Sequence, residues 1–419
     1  MPFRRSLSVW PEFPIIVDYV IKWEEDNVIA ALEHPDRVDR VCIFIDSDVL
    51  ARELFEMMQV PFTALTYLHL TGPAEADLML DLPAQFLGGF APCLQYLRLT
   101  YISFPALPKL LLSARGLVSL EVEYTCTSGY AYISPEEMVG GLAGLTRLRN
   151  LCIKFQLPEL PPYSDERPEE RELLDLPLAT HAILPALTQF EFAGENQYVE
   201  DLVAKIDAPG VEDVEIEYFA AEVETRQLSR FIGRTANFEF AQFKRAQVTY
   251  YPDKARIKLD HPQGASESHQ VHCSLTTKIR YPEFFQVQLM TCVLGQLFAM
   301  LSNVDSLSVN YQHIPRWSER DITLENIEWL TLLPLFPAVE ALHVSKGFAV
   351  QFASTLEDIA EESVTGVLPA LHLLWLGDGD EVVGSPERFL SLRRLSGCPV
   401  TVVNTQDEFP YMIRGSSEA

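Results

Sequence analysis

The sequence predicts an α/β fold, an irregular solenoid with an inner parallel sheet and outer helices. Three observations lead there. A six-residue pattern with apolar residues at positions one, four and six returns ten times along the 419 residues. Proline stands two positions before the start of five of those copies. Stretches with helical apolar spacing fill the intervals between copies.

The hexads are VDRVCI (38–43), LTYLHL (65–70), LQYLRL (94–99), LVSLEV (117–122), LRNLCI (148–153), LTQFEF (187–192), VEDVEI (211–216), VDSLSV (304–309), VEALHV (339–344) and LHLLWL (371–376). With 48% apolar residues, three specified apolar positions match by chance in about one window in nine. The context supplies the specificity. Pro92, Pro185, Pro209, Pro337 and Pro369 precede five copies, whereas 28 prolines in 419 residues would place fewer than one there at random. Proline has no N–H and biases its neighbour toward extended backbone, so it is expected to stop a helix and deliver the chain into a strand. Along that strand the fourth and sixth side chains point inward, and the third and fifth point out.

Between the strands, SDVLARELFEMM (47–58) places Leu50, Leu54 and Met57 on one helical face behind Ser47 as N-cap. SPEEMVGGLAGL (134–145) opens with Ser134, Pro135 and Glu137, the signature of a capping box. QYVEDLVAKI (197–206) carries Tyr198, Leu202 and Ile206 at spacing four, and QFASTLEDIAEES (351–363) carries Phe352, Leu356 and Ile359. SPERFLSLRRLSG (385–397) opens on Ser385 and Pro386 and closes on Gly397.

Strand plus helix at intervals of 23 to 39 residues, with one gap of 93, is the grammar of a leucine-rich repeat. The usual asparagine or cysteine three positions past the last apolar residue is replaced by Pro73, Ile102, Thr125, Gln156 and Glu195, so no regular polar ladder is expected. A doubly wound sheet fits less well, because its strands read as continuous apolar runs. Two stretches break the rhythm. Residues 157–180 are acidic and proline-rich and read as an inserted solvated loop. Within 237–281, AQVTYY and ARIKLD flank PDK and read as a hairpin in an irregular, strand-rich section.

The chain carries 59 acidic and 32 basic residues, a net charge of −27. Such a surface repels phosphate, so neither nucleic acid nor an anionic membrane is the expected partner. Seven scattered cysteines without a C-x-x-C pair read as reduced, buried thiols of an intracellular protein, cytoplasmic or nuclear. No uninterrupted apolar stretch has transmembrane length.

Catalytic signatures are weak. HQVHC (269–273) offers His269, His272 and Cys273 as half of a metal site, but zinc needs about four ligands and no second cluster stands nearby in sequence. GDGDE (377–381) lacks calcium-loop spacing and reads as a turn. GGLAG (140–144) lies inside a predicted helix and is no phosphate loop. Neither G-x-S-x-G nor H-E-x-x-H occurs. The reading is therefore a non-enzymatic protein without catalytic residues, metal or cofactor. Binding by the outward strand positions is expected instead, and the candidates are Tyr67, His69, Tyr96, Arg98, Glu121, Asn150, Glu191, Asp213, Glu215, His343 and Trp375. Aromatic residues with arginine dominate binding hot spots. The acidic members favour a protein partner with a basic segment.

Segments in order along almost the whole chain, among them WPEFPIIV (10–17), EDNVIAALEHPDRV (25–38), MMQVPFTALTYLHL (57–70), FLGGFAPCLQYLRL (86–99), GYAYISPEEMVGGLAGLTRLRNL (129–151) and WLTLLPLFPAVEALHV (329–344), resemble the fungal F-box-associated leucine-rich-repeat proteins of mushroom-forming species. The resemblance implies the substrate-recognition part of an F-box ubiquitin-ligase receptor. In that family an F-box normally precedes the Trp-Pro segment and docks the Skp-type adaptor. Only nine residues precede Trp10, too few for such a helical module, so the F-box is expected to be absent or truncated. The adaptor is then a partner only if an F-box lies upstream. Residues 1–35 are expected to form an N-terminal cap segment and 36–419 the repeat body. The alternative reading is a free-standing scaffold or competitor that binds a partner without recruiting a ligase.

Overall fold

The computed structural model describes residues 13–19, 25–73, 80–125, 133–156, 181–218, 225–235, 243–251, 254–260, 272–278, 284–296, 301–312, 329–359, 364–377 and 386–403. The expected acidic loop at 157–180 lies outside the described residues. The chain is α/β, with mostly parallel strands joined through helices, and the described strands close no barrel. It divides into two compact units, residues 1–216 with 226–237, and residues 217–225 with 238–419.

The first unit contains β1 (Ile15–Tyr19), α1 (Glu25–Leu32), β2 (Val38–Phe44), α2 (Asp48–Met57), β3 (Tyr67–Thr71), β4 (Leu80–Asp81), β5 (Tyr96–Thr100), β6 (Ile102–Ser103), α3 (Leu107–Leu111), β7 (Ser119–Thr125), α4 (Pro135–Leu142), β8 (Asn150–Gln156), β9 (Ala182–Ile183), β10 (Gln189–Gly194), α5 (Asn196–Val203), β11 (Ile206–Asp207), β12 (from Asp213) and α6 (Arg226–Arg234). Its main sheet runs β1-β2-β3-β5-β7-β8-β10-β12, in chain order and without the reversal that marks a doubly wound sheet. From β1 to β10 every pairing is parallel. Strand β1 falls in the segment expected to act as a cap, and it pairs with β2 as one more rung. The short strands form two parallel pairs of their own, β4 with β6 and β9 with β11.

Register follows the hexads. The fourth positions Val41, Leu68, Leu97, Leu120, Leu151 and Phe190 stand side by side, and the sixth positions Ile43, Leu70, Leu99, Val122, Ile153 and Phe192 form a second row; all are buried. A backbone device recurs from β3 to β12. The carbonyl of the second hexad residue accepts two consecutive N–H groups from the next strand's entry, as Thr66 does from Gln95 and Tyr96, Gln95 from Val118 and Ser119, and Val118 from Arg149 and Asn150. The prolines do something more local than stopping a helix. Pro92, Pro185 and Pro209 occupy the second position of a turn closed by Leu94 to Ala91, Leu187 to Leu184 and Val211 to Ala208, N–H to carbonyl. That position requires the φ that proline already holds.

The helices largely keep their expected caps. Ser47 accepts from the Leu50 N–H, and Ser134 with Glu137 completes the capping box. On α2 the buried stripe is Leu50, Ala51, Leu54 and Phe55, continued by Met58; Met57 is only half-buried. Ile206 lies beyond its helix, in β11. Gly141 packs where a Cβ would stand 2.9 Å from Pro108 Cα, so this glycine of α4 serves close approach to α3.

The second unit contains β13 (Arg245–Tyr250), β14 (Lys254–Asp260), β15 (His272–Lys278), α7 (Phe284–Gln296), β16 (Ser306–Tyr311), α8 (Trp329–Leu332), β17 (Ala341–Val344), α9 (Lys346–Glu357), β18 (Leu373–Leu376), α10 (Glu387–Leu395) and β19 (Thr401–Val403). Strands β13 and β14 pair antiparallel where the sequence predicts a hairpin, and β15 continues antiparallel beside β14. On the other side of β13, β16 to β19 return to parallel pairing. Strand β13 belongs to an eleventh hexad, FKRAQV (243–248), absent from the sequence reading. Phe243, Ala246 and Val248 are buried, and the Lys244 carbonyl accepts from Asp305 and Ser306 N–H groups, each at 3.0 Å. Helix α9 begins at Lys346, ahead of the stretch the sequence marks. Ser385, the expected cap of α10, lies outside the described residues, and Gly397 closes that helix with φ +78°.

Candidate functional site

Alternation assigns the third, fifth and seventh strand positions of the first unit to the face opposite the leucine rows. Register then converts them into rows across the strands. The first row reads Ile16, Arg40, Tyr67, Tyr96, Ser119, Asn150 and Gln189. The second reads Asp18, Cys42, His69, Arg98, Glu121, Cys152 and Glu191. The third adds Phe44, Thr71, Thr100, Glu123 and Lys154. Strand β12 follows with Asp213 and Glu215, its entry held by Glu212 and Asp213 N–H groups on the Thr188 carbonyl.

The two ends of this face differ. At the β1 to β5 end, Ile16 is 63% exposed, Phe44 47% and Tyr96 44%. The Arg40 guanidinium carbon lies 4.7 Å from the Tyr67 ring centre, and the Tyr67 and Tyr96 rings are 5.9 Å apart, tilted by 40°. Cation–π contact and ring packing thus hold three side chains of neighbouring strands in one layer. From β7 onward the face is acidic. Arg98 meets Glu121 at 3.3 Å where the two halves join, and Glu121 also accepts from Ser119 Oγ at 3.4 Å. Farther on, Glu191 receives Lys154 at 2.5 Å and the Cys152 thiol at 3.3 Å.

His69 sits at the centre of the first half, Nδ1 3.6 Å from Cys42 Sγ and Nε2 3.0 Å from Thr71 Oγ1. Burial holds its pKa below the usual histidine value, and the nearby Arg98 charge pushes the same way against a weaker pull from Glu121. The neutral ring suits both contacts, since one nitrogen donates and the other accepts. Burial, followed by the Asp18 charge, raises the Cys42 thiol pKa despite Arg40 and Arg98. Burial and then Glu191 raise that of Cys152. Both shifts favour the protonated thiol over the nucleophilic thiolate.

Nine of the sequence candidates, Tyr67, His69, Tyr96, Arg98, Glu121, Asn150, Glu191, Asp213 and Glu215, fall on this face of the first unit. His343 and Trp375 belong to the second unit and correct the expectation of an open face. They are only 8% and 6% exposed, and Ser308, beside His343 in register and hydrogen-bonded to it at 3.2 Å, is buried as well. Alternation decides which face a side chain takes, not whether the chain leaves that face uncovered. Sequence reading omitted Arg40 and Cys42, although the same third-and-fifth rule applied to VDRVCI finds them. It also omitted Ile16, Phe44, Glu123 and Lys154, which lie outside the hexads or one step past them.

The remaining motifs come apart in the structure. Cys273 is buried opposite Leu259, while His272, the residue before it on β15, takes the other face and lies 3.9 Å from Asp260. His269 and all of GDGDE but Gly377 lie outside the described residues. Among the described residues no group of three or more His, Cys, Asp or Glu could hold a metal, and no helix is long and apolar enough to cross a membrane. All six described cysteines are free thiols, yet only Cys273 is fully buried, and Cys93 and Cys292 are exposed. No family model matches the chain, and no curated protein matches it.

Proposed function

We propose that this protein is a non-enzymatic interaction module of leucine-rich-repeat-like, solenoid build, and that the open face of its first unit binds a protein partner. The observation that carries the proposal is the layer Arg40–Tyr67–Tyr96, flanked at its Arg40 end by exposed Ile16 and Phe44 and continued by an acidic half. Large exposed apolar groups beside arginine are what interfaces use as anchors. The repeat reading draws support from the recurring two-donor carbonyl and the in-register leucine rows, which make each rung equivalent to the next. The non-catalytic reading draws support from the thiols shifted toward the protonated form and the neutral His69, whose second nitrogen meets a threonine hydroxyl rather than a carboxylate that would stabilise an imidazolium.

Following the resemblance read from the sequence, the module acts as the substrate-recognition part of an F-box-type receptor, inside the cell. The test compares proteins captured from a cell extract by the unaltered chain and by a Tyr67→Ala/Tyr96→Ala variant of equal folded content. A species held by the first and lost from the second is expected. Its ubiquitination together with recovery of a Skp-type adaptor supports the receptor, and its capture without adaptor supports the free-standing scaffold. An identical set from both chains refutes the site.

A further inference from the structure

From β2 to β12 the first unit's open face changes chemistry once, and the change has a direction. On β2, β3 and β5 it carries two arginines, Arg40 and Arg98, and no carboxylate at the third, fifth and seventh positions. On β7, β8, β10 and β12 those positions hold Glu121, Glu123, Glu191, Asp213 and Glu215 against the single base Lys154. One end therefore offers apolar contact to a side chain that buries against tyrosine. The other is rich in carboxylates, among which Glu215 forms no salt bridge with any described residue.

Building on the reading of this face as a partner site, we infer that its occupant is an extended peptide segment carrying an apolar or aromatic anchor and, at a fixed distance, a lysine or arginine. The anchor packs against Tyr67 and Tyr96, and the base lies over Glu191 and Glu215. The spacing follows from the sheet. From β5 to β10 there are three strand steps and to β12 four, so at about 4.8 Å per step the separation is about 14–19 Å. An extended segment crossing the strands advances about 3.3 Å per residue, so anchor and base stand about four to six residues apart. A segment with anchor and base adjacent cannot reach both ends. An acidic segment meets like charge, which costs several-fold or more in affinity.

The test uses fluorescein-labelled twelve-residue peptides on a Gly/Ser background, with tryptophan at the third position, and the full chain titrated by anisotropy. The peptide with arginine five residues after tryptophan is expected to bind, about tenfold more tightly than its counterpart with glutamate there or with arginine directly after tryptophan. Its affinity is expected to fall as salt rises. Asp213→Lys/Glu215→Lys, at half-exposed positions away from the leucine rows, is expected to abolish the preference for arginine while keeping the circular dichroism of the parent. Equal binding of all three peptides, binding of none, or a preference unmoved by the double lysine variant overturns the inference. If that happens while capture in extract still depends on Tyr67 and Tyr96, the face remains a partner site with a different ligand. If capture is also independent of those tyrosines, the site itself falls.

Discussion

Leu68 and Tyr67 are chain neighbours that the fold sends to opposite faces, so substituting each with alanine separates core from surface in one strand. Leu68 is fully buried between Val41 and Leu97 of the adjoining strands, themselves buried. Leu68→Ala removes three carbons from that row, about 2.4 kcal/mol of transfer free energy at about 0.8 kcal/mol per carbon. Strands hydrogen-bonded on both sides cannot close over the gap, so a cavity term adds and the total is about 3–5 kcal/mol. Tyr67→Ala removes one ring pair and one cation–π contact on a half-exposed face, together about 1–2 kcal/mol. Because the chain has two compact units, a single unfolding midpoint would mix them. Hydrogen exchange read by mass spectrometry on peptides spanning β2, β3 and β5 reports the first unit alone. Leu68→Ala should speed exchange there by a hundredfold or more, at about 1.4 kcal/mol per tenfold, and Tyr67→Ala by about tenfold. Equal effects, or a cost below 1 kcal/mol for Leu68→Ala, would refute the facing on which the site is built.

Other substitutions probe separate contacts. Gly141→Ala gains helix propensity but drives a Cβ to 2.9 Å from Pro108, so a net loss of about 1–3 kcal/mol is expected, read as faster hydrogen exchange of the α3 and α4 amides, whereas Gly144→Ala, with open space around it, should stay within about 0.5 kcal/mol. Glu200 is 5% exposed and accepts the Gln227 and Leu228 N–H groups at 2.6 and 3.0 Å, capping α6 from a neighbouring rung. Glu200→Ala strands two helix-end donors, an expected cost of about 2–4 kcal/mol, with early exchange of α6 amides as the reading. His69 should titrate by NMR below the ordinary histidine value, and Arg98→Gln, which removes a repelling charge, should move the midpoint upward. A folded-state pKa below the unfolded one means the unfolded chain takes up the proton first. The stability His69 contributes is thus complete above the unfolded pKa of about 6.5 and is lost as pH falls through the folded value. A midpoint unchanged or lowered by Arg98→Gln would contradict the assigned electrostatics.

How much of this was legible varies with the range of the interaction that decides it. The leucine rows were readable because alternation is local, and the spacing of Leu65, Leu68 and Leu70 contains its own facing. The caps at Ser47 and Ser134 were readable for the same reason. The burial of His343 and Trp375 was not, since exposure is set by tertiary packing that alternation does not encode. Nor was the pairing of Glu200 with α6, which joins residues 27 and 28 apart and rests on backbone donors that no side-chain pattern announces.

The missed rung at 243–248 shows where such reading fails. Phe243 and Ala246 stand where other copies carry leucine, valine or phenylalanine, so a pattern tuned to leucine spacing passes over them. What keeps the rung in place is the Lys244 carbonyl, which takes the same two N–H groups as Thr66, Gln95 and Val118 do elsewhere. Any residue supplies a carbonyl, so the rung's position can persist while its side chains drift, provided the volume behind the strand is filled. Replacing Ala246 with leucine tests that proviso. Ala246 is fully buried beside Leu259 and Leu307, so restoring the leucine pattern should overpack the site and cost about 1–3 kcal/mol, read as faster exchange of the β13 amides. A gain in stability would mean that the gap behind β13 had been left unfilled, and that the hexad's apolar identity governs the rung more than its backbone does.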